Sequence, residues 1–142
     1  MTDCGSAPRR LLVIDDDPAC RILFGFLLRK LGHTVDEAET GSAGLAMLRQ
    51  QPVDLVMTDL MMPGLTGWDV ARLAKAMHPR LPVVLVTAWA PMIPPDQPER
   101  KCVDAILGKP CGVAEIQTAI GALTRELADP VPRPGSVGLA PE

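Results

Sequence analysis

The run Val53-Asp54-Leu55-Val56-Met57-Thr58 is long enough for one buried strand and ends on Asp59, just ahead of a Pro63–Gly64 turn. Leu11–Ile14 and Val83–Val86 are runs of the same kind, ending on Asp15 and Thr87. His33–Glu37 reads as a half-polar edge strand and Val103–Leu107 as a fifth strand, leading into Gly108-Lys109-Pro110. Continuous apolar runs predict strands covered on both faces. Their alternation with helical stretches predicts a doubly wound parallel sheet with helices on each side.

The helices carry their own punctuation. Pro18 suits a first turn with Asp17 as N-cap, and Ala19–Leu31 is apolar at Cys20, Leu23, Leu27 and Leu31, with Phe24 and Leu28 as a second flank. That helix face is expected to pack inward; the alternative is a docking surface for a partner. Thr40 caps Gly41–Gln50, where Leu45 and Leu48 face inward. Thr66 caps a third helix with Val70, Leu73, Ala74 and Met77 at i, i+3, i+4 and i+7. A last helix carries Val113, Ile116, Ile120, Leu123 and Leu127 as one stripe. Between them, Pro91, Pro94, Pro95 and Pro98 exclude a regular helix, leaving an irregular loop with one helical turn near Gln97–Lys101.

Right-handed crossovers and a reversal of strand order open a crevice beyond the carboxyl ends of the central strands. Asp15, Asp16, Asp59, Thr87 and Lys109 all fall on that one edge. Three carboxylates close together repel unless one takes a proton or a cation sits among them, and Mg²⁺ suits one or two carboxylates with retained water. Lys109 adds a compact positive charge and Thr87 a hydroxyl donor, both suited to a tetrahedral anion. The set describes phosphoryl transfer to Asp59 as nucleophile.

A net charge of −3 without basic runs gives no reason to expect direct nucleic-acid contact. Cys4, Cys20, Cys102 and Cys111 show no metal spacing and read as free thiols. No apolar run approaches the ~20 residues that span a bilayer, so a soluble, cytoplasmic protein is expected, with no membrane partner. Residues 1–9 read as a flexible N-terminus, 10–128 as one domain, and 129–142 as a Pro/Gly-rich tail or linker stub.

Leu12–Pro18, Met57–Gly64, Leu85–Ala88 and Ile106–Pro110 resemble the four signature blocks of response-regulator receiver domains of the CheY-like kind, from about residue 10 to 127. The resemblance implies a flavodoxin-like strand order 2-1-3-4-5. It implies Asp59 as phosphoacceptor, Asp16 as direct metal ligand, Asp15 as a ligand through water, and the Met61 carbonyl as third protein ligand. Thr87 takes the role of the switch hydroxyl and Lys109, ahead of a cis bond to Pro110, that of the pairing lysine. The implied donor is a sensor histidine kinase or histidine phosphotransfer protein; the downstream target protein is not identified. Such a domain has no turnover beyond its own phosphorylation and dephosphorylation.

The chain departs from the family at Ile106, where an aromatic usually stands, and at residues 91–98, which replace or disrupt the family's fourth helix. It also places apolar Met61 and Trp89 two residues beyond Asp59 and Thr87, where bulk would exclude hydrolytic water. Two other readings compete: a pseudo-receiver acting as a constitutive interaction module, and an Asp-nucleophile phosphatase. The second usually carries a DxD pair after its first strand, which Asp59-Leu60-Met61 does not provide. Flavin binding lacks its phosphate loop.

Overall fold

A computed structural model describes residues 7–125. The expectations for residues 1–6, for Leu127 and for the tail lie outside these. Five strands, β1 (Arg10–Ile14), β2 (Thr34–Ala38), β3 (Leu55–Thr58), β4 (Val83–Thr87) and β5 (Ala105–Gly108), form one sheet. Its order is β2-β1-β3-β4-β5 and every pairing is parallel. The helices are α1 (Pro18–Lys30), α2 (Gly41–Gln50), α3 (Gly67–Met77) and α4 (Val113–Thr124). The doubly wound parallel sheet is therefore as the alternation of runs predicts, and its strand order is the flavodoxin-like one that the resemblance implies.

Alternation along the strands sorts the core into two layers. Leu12, Ile14, Val56 and Val83 pack with α2 and α3 through Leu45, Leu48, Val70 and Ala74. Leu11, Val13, Leu55, Met57, Val84 and Val86 pack with α1 and α4 through Phe24, Leu28, Ile116 and Ile120. The central strands β1, β3 and β4 are buried along their whole length. That is why they read as unbroken apolar runs.

The caps form as the sequence predicts. The Asp17 side chain accepts from Ala19 N and the Thr40 side chain from Ala43 N. Thr66 and Asp69 make a reciprocal capping box at α3. Two helical faces differ from expectation. On α1 the inward face is Phe24, Gly25 and Leu28, while Ile22, Leu23 and Phe26 are each more than half exposed. On α4, Ile116 and Ile120 are buried but Val113 is 42% exposed at the first turn.

Between β4 and β5 there is no α-helix. Two 3₁₀ turns, Ala90–Met92 and Pro98–Cys102, replace it. The second was expected; the first, with Pro91 inside it, was not. Prolines set φ for a tight turn and deny the interior amide an α-helix needs. Ile93 anchors this segment against Leu60 and Leu85 in a third, small core cluster.

Candidate functional site

Parallel register brings the site together. Ile14 pairs with Thr58, so Asp15 and Asp59 leave the sheet side by side from adjacent strands. The Asp59 amide donates to the Ile14 carbonyl at 2.9 Å, and the Asp15 amide to the Ala38 carbonyl at 3.1 Å. Both aspartates are thus extensions of ladder pairing, which sets where each Cβ emerges. Carboxylate oxygens of Asp15, Asp16 and Asp59 all lie within 4.8 Å of one another. Asp15 is buried, Asp59 is intermediate and Asp16 is exposed, so the cluster opens to solvent on one side.

Lys109 arrives from the far side of the sheet. Its amide donates to the Thr87 carbonyl at 2.9 Å, and its peptide bond to Pro110 is cis, as the resemblance implied. Lys109 Nζ is 2.8 Å from Asp15 Oδ2 and 3.4 Å from Asp59 Oδ1. Burial alone would lower the lysine pKa, but the bond and charge of Asp15, with the charge of Asp59, outweigh it and hold the ammonium above its usual range. Asp59 moves the opposite way for a carboxylate. Burial raises its pKa and the Asp15 charge adds to that, against the opposing pull of Lys109. Among the described residues, three carboxylates share the pocket with a single ammonium in contact.

Thr87 is fully buried at the end of β4 and its Oγ1 accepts the Trp89 amide at 3.0 Å. Met61 and Trp89 are 58% and 50% exposed. Together with Leu60, Trp68, Met92 and Ile93 they line an apolar groove of about 320 Å³ beside the Asp59 loop. The structure thus brings together Asp15, Asp16, Asp59 and Lys109, and sets Thr87 and Met61 on the strand end and loop next to them.

Three supporting residues were not foreseen. The Thr58 hydroxyl, 1% exposed, donates to the Asp59 carbonyl at 2.9 Å. Arg21 Nη1 donates to the Asp15 carbonyl at 2.9 Å. Gly67 packs so closely that its missing Cβ leaves room for the Asp59 carbonyl and for Leu60 Cα, 2.9 Å from where that Cβ would stand. None has a sequence signal of its own, since each acts through a backbone group of another residue.

A flavodoxin-like sheet with an acid cluster and a lysine at its switch-point edge defines the receiver class of signalling domain. The sequence matches the response regulator receiver domain family over residues 11–121, and the chain belongs to that family. It is 36% identical over 93 residues to the gliding motility regulatory protein of Myxococcus xanthus, covering 63% of this chain and 12% of that protein. It is 41% identical over 78 residues to the transcriptional regulatory protein AfsQ1 of Streptomyces coelicolor, covering 55% of this chain and 34% of that one. The chain thus matches only about an eighth to a third of the length of these relatives. Among solved structures it superposes on the response regulator TrrA of Thermotoga maritima, crystallised with Mg²⁺ and beryllofluoride. The TM-score is 0.75 at 28% identity, covering 81% of this chain and 98% of TrrA. The chain is accordingly a receiver domain of two-component signalling, a signalling class rather than a class of turnover enzymes. Among the described residues, no helix is long and apolar enough to cross a membrane.

Proposed function

We propose that this receiver domain takes a phosphoryl group onto Asp59 from a phosphohistidine of a sensor kinase or phosphotransfer protein, and signals through protein contacts. The observation that carries this reading is the convergence of three carboxylates within 4.8 Å, with Lys109 Nζ bridging Asp15 and Asp59. A carboxylate oxygen of Asp59 attacks phosphorus, the N–P bond breaks, and the electron pair stays on the donor imidazole. Lys109, already 3.4 Å from Asp59 Oδ1, pairs with a phosphoryl oxygen, and Thr87 supplies its hydroxyl. The donor set is all oxygen, which fits Mg²⁺. Asp16, Asp59 and the Met61 carbonyl would hold the ion directly and Asp15 through water. When bound, it supplies charge neutralisation for the phosphoryl oxygens. The exposed Ile22, Leu23 and Phe26 on α1, the helix that begins just after Asp15–Asp17, provide an apolar contact surface for the donor.

The test is intact mass after incubation with Mg²⁺ and a small acyl phosphate. One acid-labile phosphoryl group, lost in Asp59→Asn, is expected. Release of many equivalents of phosphate would favour a phosphatase, and an unchanged mass would favour a pseudo-receiver that only binds partners.

A further inference from the structure

A chain of charged contacts runs from the second strand to the metal-site loop and has no counterpart in the catalytic set. Arg21, on the first turns of α1, keeps its side chain 15% exposed. Its Nη1 holds the Asp15 carbonyl at 2.9 Å, and its Nε lies 3.6 Å from Glu37 Oε1 on β2. The other Glu37 oxygen takes Arg29 Nη1 at 3.0 Å, and Arg29 Nη2 in turn donates to the Val35 carbonyl at 2.9 Å. Glu37 is therefore gripped from two sides and tied to its own strand. The helix is cut back to admit it. A Cβ on Gly25, in the middle of α1, would collide with Glu37 Oε2 and stand 3.1 Å from its Cδ. A glycine costs a helix interior stability, so its position here coincides with a contact that any side chain would break.

We infer that Arg21, braced by Glu37, is a positioning residue for divalent-cation binding at the acid cluster. This deepens the phosphoacceptor reading and rests on it. The peptide joining Asp15 to Asp16 is planar, so fixing the Asp15 carbonyl fixes the Asp16 amide and the place of its Cα, from which φ and the side-chain torsions aim the carboxylate. Asp16 is the exposed member of the cluster and otherwise the least restrained. Arg21 touches the backbone and no carboxylate of the cluster in this arrangement, so its effect on the cation passes through geometry.

Geometry and charge predict opposite signs. A guanidinium near the carboxylates repels a cation, so on charge alone Arg21→Gln tightens Mg²⁺. Positioning predicts weaker binding, on the order of tenfold, as for other residues that orient metal ligands from behind. Gly25→Ala gives the cleaner comparison. It displaces only the flexible ends of the Glu37 and Arg29 side chains and improves helix propensity, so melting without Mg²⁺ is expected at the same temperature or higher. Mg²⁺ affinity is nonetheless expected to fall.

The experiment is calorimetric titration of Mg²⁺ into the wild type, Arg21→Gln and Gly25→Ala, with thermal melts of each apo protein. Weaker Mg²⁺ binding in both variants, with Gly25→Ala no less stable, supports the assignment. Unchanged or tighter binding in either overturns it. If Arg21→Gln does not fold, Gly25→Ala decides alone. If the wild type takes up no Mg²⁺, the phosphoacceptor reading fails and this inference goes with it.

Discussion

Gly67→Ala isolates the packing that sets the height of Asp59. Gly67 is the first residue of α3, and its amide donates to the Leu60 carbonyl at 2.9 Å. A Cβ there meets the Asp59 carbonyl oxygen, Leu85 Cδ1 at 2.5 Å and Leu60 Cα at 2.9 Å. Leu85 can turn; the other two are backbone and move only if the Asp59 loop moves. Overpacking of this kind costs about 1–3 kcal/mol. For a domain of this size that is a fall in melting temperature of roughly 4–12 °C. Gly108→Ala is the control, because its Cβ meets only Ala90 Cβ at an ordinary 3.5 Å. It should lie within about 0.5 kcal/mol of wild type. Thermal melts give the stabilities, and ¹⁹F NMR of beryllofluoride with Mg²⁺ reports the site itself. Gly67→Ala should lose stability and bind beryllofluoride more weakly; Gly108→Ala should do neither. If the two variants melt together and bind alike, the close approach of α3 does not hold Asp59 in place.

Because burial and Asp15 raise the folded-state pKa of Asp59 above 3.8, its contribution is lost as pH rises from 3.8 through that folded value. Asp59→Asn should therefore be more stable than wild type at neutral pH without Mg²⁺, and adding Mg²⁺ should narrow the gap, both read by thermal melts. His33 gives the opposite slope. Its Nδ1 accepts the Arg9 amide at 3.0 Å, and burial lowers its pKa below 6.5, with the Arg9 charge lowering it further against the raising influence of the nearby Gln117 side chain. Stability is full above 6.5 and falls as the pH drops below it through the folded value, so urea midpoints at pH 7.5 and 5 should separate more in wild type than in His33→Gln. Trp89→Glu replaces an apolar wall beside the site with a water-orienting carboxylate, and should shorten the life of the phosphorylated form by on the order of tenfold. Equal decay rates of the radiolabelled proteins would reject the water-exclusion argument.

The strand layout was legible because β1, β3 and β4 are sandwiched, and sandwiching shows in sequence as unbroken apolar runs. The helix α2 was readable to the residue because Thr40 and Pro52 bracket a simple stripe. The face of α1 was misjudged for a physical reason. Ile22, Leu23, Phe24, Phe26, Leu27 and Leu28 surround the helix with apolar groups, so spacing alone cannot orient it. In the fold Phe24 and Leu28 pack into the sheet layer, and Gly25 between them admits Glu37 from β2. Val113 was misplaced on α4 because the stripe was extended to the first residue of the helix, which stays 42% exposed. The acids and Lys109 were visible as polar residues closing apolar strands. Thr58, Arg21 and Gly67 were not, since their partners are main-chain groups that no side-chain pattern announces.

The pairing of Ile14 with Thr58 has a consequence for how this domain tolerates change. Sliding β3 by one residue along β1 would send the Asp59 side chain to the opposite face of the sheet. An ion held by the tips of both strands would therefore act as a gauge of their alignment. Substitutions deep in either strand, far from any acid, should blunt cation uptake well before they unfold the chain.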